Sequence, residues 1–163
     1  MTCHKIYARH SGVEVRHRLC IPLIKRTIQM ALMLEGIDLP CEISVLITND
    51  AVIRDINREY RNMDEPTDVL SFPMLEFQTP GFISPDAVLL DPETGRLPLG
   101  EIVLSAERLF EQSVRFGHTV SRETAYLTVH SVLHLLGYDH VDEAEEKSLM
   151  REREKQIMRE FKE

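Results

Sequence analysis

Three histidines crowd the stretch His130-Ser131-Val132-Leu133-His134-Leu135-Leu136-Gly137-Tyr138-Asp139-His140. His130 and His134 are four residues apart, which on a helix stacks their rings on one face. Gly137 is the residue type that takes a left-handed conformation without strain, so it can end that helix and turn the chain back towards His140. Three converging imidazoles suit a borderline divalent metal, most often zinc. A closed structural zinc normally takes four ligands, often Cys, and no Cys or fourth His lies nearby in the sequence. Three protein ligands leave a position open for water, the pattern of a catalytic metal. The expected ligands are therefore His130, His134 and His140, holding one Zn²⁺ per chain, with another divalent metal as the alternative. Asp139 is either a fourth ligand or an acceptor that orients a ring nitrogen.

The spacing H-x-x-x-H-x-x-G-x-x-H equals that of metzincin proteases. Those enzymes carry a general-base Glu directly after the first histidine, where this chain has Ser131. A serine hydroxyl does not take up and relay a proton at neutral pH as a carboxylate does. A metzincin-like zinc protease is thus the second reading.

A further run, Asn57-Arg58-Glu59-Tyr60-Arg61-Asn62-Met63-Asp64-Glu65-Pro66-Thr67-Asp68-Val69-Leu70-Ser71-Phe72-Pro73, joins a helix to a strand. Arg54, Arg58 and Arg61 share one helical face. For Arg54 and Arg58 a solvated arginine face is as good an account as a binding role. Arg61 sits at the helix end, where a guanidinium can grip phosphate through two N–H groups and stabilise charge in a phosphoryl transfer.

Around these motifs the spacing predicts a strand at His4–Arg9, a helix from Cys20 to Glu35 and a strand at Cys41–Thr48. A helix follows from an N-cap in Thr48-Asn49-Asp50 to Arg61, with Ile53, Ile56 and Tyr60 as its buried stripe. Val69–Phe72 and Gly100–Ser105 read as strands. Residues 74–98 read as a long loop, because Pro and Gly recur through it. Ala106–Phe116 reads as a helix, then a strongly apolar one from a cap at Ser121 to Leu136. The last helix starts at a cap on Asp142 and runs to Phe161, with Met150, Ile157 and Phe161 on its apolar stripe. The expectation is a single α+β domain over residues 1–163. It has a small mixed four-stranded sheet packed with about five helices, and the metal site lies at the end of a core helix.

The chain has 163 residues, 43 % of them hydrophobic, and a formal charge of −8. It holds no apolar run long enough for a membrane span and no signal sequence at its N-terminus, so a cytoplasmic protein is expected. Three scattered cysteines read as reduced thiols rather than as a disulfide framework. The acidic total argues against gripping nucleic acid by bulk charge. It hides an asymmetry: residues 1–26 are net +5, residues 27–140 net −11, and the tail from Val141 net −2. An acidic protein can thus still carry a local basic surface, beside the plainer reading of a solvated basic end.

Taken together, the Asn57–Pro73 run, Gly100-Glu101-Ile102-Val103 and the histidine segment resemble the YbeY family of bacterial rRNA maturation factors, from about residue 41 to the end. The resemblance implies a small mixed sheet packed with helices and a metal in a cleft. It implies that His130, His134 and His140 ligate zinc and that Arg61 is the functional arginine. It also implies cleavage of single-stranded RNA, processing of small-subunit rRNA and a link to ribosome quality control, with the small ribosomal subunit as partner and no membrane or DNA. The chain has Ser131 where the family usually has Gly and Glu101 where it often has Asp, and its 74–98 loop is longer than usual. A non-catalytic, zinc-stabilised ribosome assembly factor is the remaining alternative.

Overall fold

Alternation of side chains builds the sheet. In Cys41–Thr48 (β2) the residues Ile43, Val45 and Ile47 are buried on one face while Glu42, Ser44 and Leu46 point to the other, the two-residue period of a strand. The computed structural model describes residues 2–84, 86, 90–139 and 144–163, without the side chains of Glu146 and Lys147. Beside β2 lie β1 (Lys5–His10), β3 (Val69–Pro73) and β4 (Leu97–Ser105) in the order β1-β2-β4-β3. The first two pairings are parallel and β3 runs antiparallel to β4, so the sheet is mixed. The α+β expectation with four strands is met.

β4 starts three residues before the expected Gly100. Pro98, which reads as loop, pairs opposite Glu42 where β3 has not yet joined, so its missing N–H costs no ladder bond on that side. A register shift follows at Glu42/Ile43. The shift explains how Leu97 and Leu99 before it, and Ile102 and Leu104 after it, all reach the same core.

That core lies between the sheet and two helices, α2 (Ile21–Leu34) and α5 (Val120–Leu135). α5 is buried nearly all round, as a central helix must be. Its polar residues solve their own hydrogen bonding: Thr124, Thr128 and Ser131 donate to the carbonyls of Val120, Thr124 and Leu127 at 2.7, 2.7 and 2.8 Å. Its N-cap is Thr119, which accepts from Arg122 N–H, and not the expected Ser121.

The opposite face of the sheet is covered only in part. α3 (Asp50–Arg61), capped by Asn49 as expected, sets Ile53 and Ile56 against Leu46, Leu70, Phe72 and Val103. Its stripe differs from the expectation. Tyr60 is 66 % exposed and lays its ring edge against Phe72, while Asn57 is the buried residue. The period continues at position 57, and Asn57 fits there because its amide donates to the Glu65 carbonyl at 2.9 Å. Towards β1 this face stays open, with Lys5, Tyr7 and Arg9 exposed.

A single-turn helix that the sequence did not predict, α1 (Val15–Arg18), precedes α2, and α4 (Ala106–Phe116) and α6 (Ala144–Glu160) complete the chain. The expected cap at Asp142 lies outside the described residues. The three cysteines are free, and burial pushes the Cys41 thiol up to about 12, which makes it inert.

Candidate metal centre

His130 and His134 stand where α5 turns its one incompletely buried ridge outward. Their Nε2 atoms are 3.2 Å apart and their rings meet edge to face at 83°. Two nitrogens about 2.1 Å from one tetrahedral ion are roughly 3.4 Å apart, so the pair fits the edge of such a site. The same separation suits an N–H···N bond, so tautomer matters, and a third residue fixes it. Glu154, from α6, places Oε1 2.6 Å from His130 Nδ1 and is 5 % exposed. A carboxylate only accepts, so Nδ1 carries the hydrogen and Nε2 keeps its lone pair facing His134. Tyr126 donates its hydroxyl to the other Glu154 oxygen at 3.2 Å. Burial first, and then the Glu154 charge, push this phenol up to about 12, so it stays a donor.

Among the described residues no group of three or more His, Cys, Asp or Glu gathers round one point. The third expected ligand, His140, lies outside the described residues. The donor chemistry of the other two fits a borderline divalent ion. Asp139 is exposed, and the oriented ring hydrogen of His130 goes to Glu154 instead. Sequence reasoning missed Glu154, although a signal existed: it falls between Met150 and Ile157 on the buried stripe of α6, where a carboxylate needs a partner. Ser131 is fully buried and its hydroxyl is turned back onto Leu127, so the position after the first histidine supplies no proton acceptor to the site.

The end of α5 is held by its surroundings. Tyr138 N–H bonds the Leu133 carbonyl and Gly137 N–H that of His134, closing the helix. Gly137 has φ +91°, and a Cβ there would lie 2.5 Å from Phe77 Cβ. The 74–98 segment therefore packs onto this turn, and Gly81 N–H reaches the Leu136 carbonyl at 2.8 Å. From the other side Tyr138 donates to Glu35 at 2.8 Å, and Arg153 of α6 bonds the same carboxylate and the Leu34 carbonyl.

The expected arginine is separated from its neighbours by their partners. Arg54 bonds Asp64 at 2.9 Å, and Arg58 bonds Asp55 at 2.9 Å and Asp64 at 3.5 Å. The Arg54 hydrogen bond holds the Asp64 carboxyl below its ordinary range. Arg61 is exposed at the end of α3 and makes no ion pair among the described residues. Much of the Asn57–Pro73 run serves to turn the chain behind it. Asn62 takes the left-handed conformation that caps α3, and Asp68 accepts from Val69 N–H and Gln112. α3 and α5 flank opposite faces of the sheet and both meet β3, through Tyr60 on Phe72 and through α5 itself. No hydrogen bond joins Arg61 to either histidine.

The family model described as Endoribonuclease YbeY matches residues 5–162. A relative of that name from Clostridium botulinum (strain 657 / Type Ba4) is 49 % identical over 144 residues, covering 85 % of this chain and 86 % of its own. One from Clostridium kluyveri is 46 % identical over 159 residues, covering 94 % and 96 %. The solution structure of TM1509 from Thermotoga maritima superposes with a TM-score of 0.57 at 25 % identity, covering 96 % of this chain and 87 % of that one. With a match spanning nearly its whole length, the chain belongs to the endoribonuclease YbeY family.

Proposed function

We propose that this chain is a zinc-dependent endoribonuclease that cuts single-stranded RNA in the cytoplasm, in the maturation of small-subunit rRNA and in ribosome quality control. The observation that carries the reading is the Glu154–His130–His134 arrangement, in which a buried carboxylate fixes the tautomer of one imidazole so that two Nε2 atoms face one point. His130, His134 and His140 would hold the metal, one ion per chain. When bound, the ion supplies a Lewis acid for a phosphoryl oxygen and lowers the pKa of water towards about 7. Glu154 and Tyr126 hold His130 in one tautomer through the reaction. Arg61, which makes no ion pair among the described residues, takes two phosphate oxygens through its planar fork and stabilises the charge that develops on them. Asp139, which is exposed, is one candidate for the proton acceptor.

The metzincin-like protease loses support at Ser131, whose hydroxyl is spent on Leu127. The test is cleavage of a labelled, unstructured RNA by the purified chain, before and after chelation, with a peptide substrate beside it. His134→Ala is expected to abolish RNA cleavage. Arg61→Ala is expected to lower kcat by about 10²–10³ with an unchanged melting temperature. Full cleavage after complete metal removal would overturn the reading. Metal-ligand variants that lose function only in proportion to stability would instead favour the assembly factor.

A further inference from the structure

The ridge that carries the histidines does not stop at them. Arg122, Tyr126, His130 and His134 follow one another at intervals of four along α5, and none of the four is buried. Facing the first two, across a groove of about 840 Å³, α6 sets Arg151, Lys155 and Arg159, again at intervals of four, with His118 at the rim. Side chains four apart on a helix share a face, so each helix presents a row to the groove.

The charge in this groove is unbalanced. Arg122, Arg151, Lys155 and Arg159 form no ion pair among the described residues. Glu154, which lines the groove, is engaged by His130 and Tyr126, Glu123 by His118, and Glu163 by Thr119. Four exposed cations converge on one concave strip of a protein whose total charge is −8. In their midst the Tyr126 ring is 39 % exposed and lies 6.3 Å from the His130 ring. A row of cations along a groove matches the regular charge of a phosphodiester backbone, and an exposed aromatic ring offers a base a surface to stack on. A flat bilayer surface does not reach the floor of a groove. From Arg122 to His134 the helix rises about 18 Å, room for several nucleotides of a single strand spaced roughly 3.4 Å apart when stacked.

We propose that the α5/α6 groove is the track along which a single RNA strand is led to the histidine site, with Arg122, Arg151, Lys155 and Arg159 on its phosphates and Tyr126 stacked on a base. The proposal rests on the ribonuclease reading for what happens at the end of the track, and on the groove alone for the binding.

The two are separated by measuring binding and cleavage independently. Binding of a short, labelled 2′-O-methyl oligouridylate is followed by fluorescence anisotropy across a salt series, with the full chain as purified. In the triple variant Arg151→Gln/Lys155→Gln/Arg159→Gln, the slope of log affinity against log salt is expected to fall by about 2, and affinity at 0.1 M salt by roughly a hundredfold. Lys5→Gln/Arg9→Gln/Lys25→Gln removes the same charge from the hollow beside β1, to which α2 contributes Lys25, and is expected to keep the wild-type slope. Tyr126→Leu is expected to weaken binding about fivefold or more, and Tyr126→Phe to restore it. Equal losses in the two triple variants would overturn the proposal in favour of bulk charge. So would an unchanged oligouridylate affinity in the α6 triple, even if that variant lost binding to anionic vesicles. On cleavable RNA the α6 triple is expected to raise KM and spare kcat. If the wild type binds through the groove but cleaves nothing, the ribonuclease reading falls and the track stands. If it cleaves and the α6 triple keeps its KM, the track falls.

Discussion

Glu154 shows how much one buried side chain can decide. Its carboxylate takes the Nδ1 hydrogen of His130 at 2.6 Å and the Tyr126 hydroxyl at 3.2 Å, which fixes the tautomer of His130. Partners of this kind typically tune metal affinity by about 10–100-fold. Glu154→Gln is therefore expected to weaken zinc retention by about that factor, because an amide no longer draws the Nδ1 hydrogen as an anion does. Competition with a chromogenic chelator measures it, and an unchanged affinity would mean that His130 is oriented by something else. The histidine pair was legible in the sequence because helix geometry alone brings positions 130 and 134 together. Glu154 was not, since its partner is 24 residues away and only the packing of α6 on α5 brings them into contact. Ser131 could be read as a departure from the family residue, but the direction of its hydroxyl could not. A buried hydroxyl inside a helix shares the carbonyl four residues back, and so turns away from the histidines.

Among the elements, those whose limits are set by local chemistry were read to within a residue or two. β2, α3 and α4 end where Asn49, Arg61, Ser105 and Gly117 say they must. Errors fell where tertiary partners compensate a local signal: Leu97 and Pro98 inside β4, and Asn57 in a buried position. The segment before β4 is the loop its Pro and Gly residues predict, and it sends Leu75, Phe77 and Ile83 onto the core. The junction of β1 with β2 carries a pH dependence of its own. His4 is buried and its Nδ1 accepts from Cys41 N–H at 3.2 Å. Burial lowers its pKa below 6.5. The folded chain thus keeps His4 neutral where the unfolded chain takes a proton, so the unfolded state binds more protons as pH falls, and stability falls with it. This contribution is complete above 6.5 and is lost as pH drops through 6.5 towards the lowered folded value. Wild type is expected to exceed His4→Gln by about 1 kcal/mol at neutral pH. The difference should shrink on acidification, as read from urea midpoints between about pH 8 and pH 5. A gap that holds constant over that range would remove His4 from the account.

On the scale of the whole molecule, the basic groove and the proposed metal site share the same two helices. The tail from Val141 sums to −2 and reads as an acidic helix, while its structure sets Arg151, Lys155 and Arg159 exposed along one wall of a groove and Glu154 buried at its base, bonded to His130 and Tyr126. A sum cannot report that separation; the four-residue interval of the basic residues could have. The metal's effect is also expected to be global. α5 packs on α2, α4, α6, β3 and β4, and its end is tied to α2 and α6 through Glu35, Tyr138 and Arg153. An ion gripped by His130 and His134 only when they are brought together binds the folded chain and not the unfolded one. At a free concentration about 100 times Kd, such binding stabilises by about 2.7 kcal/mol. For a chain of this size that is a rise in Tm of about 5–10 °C. Calorimetry of the chelated protein with and without added zinc is expected to show this rise in one cooperative transition, because no neighbour of α5 melts without it. His134→Ala should lose the rise while still melting cooperatively. A second, unshifted transition would show that the α5 site and the sheet unfold independently. An unchanged Tm at saturating zinc would show that the two imidazoles, however well oriented, do not hold the ion.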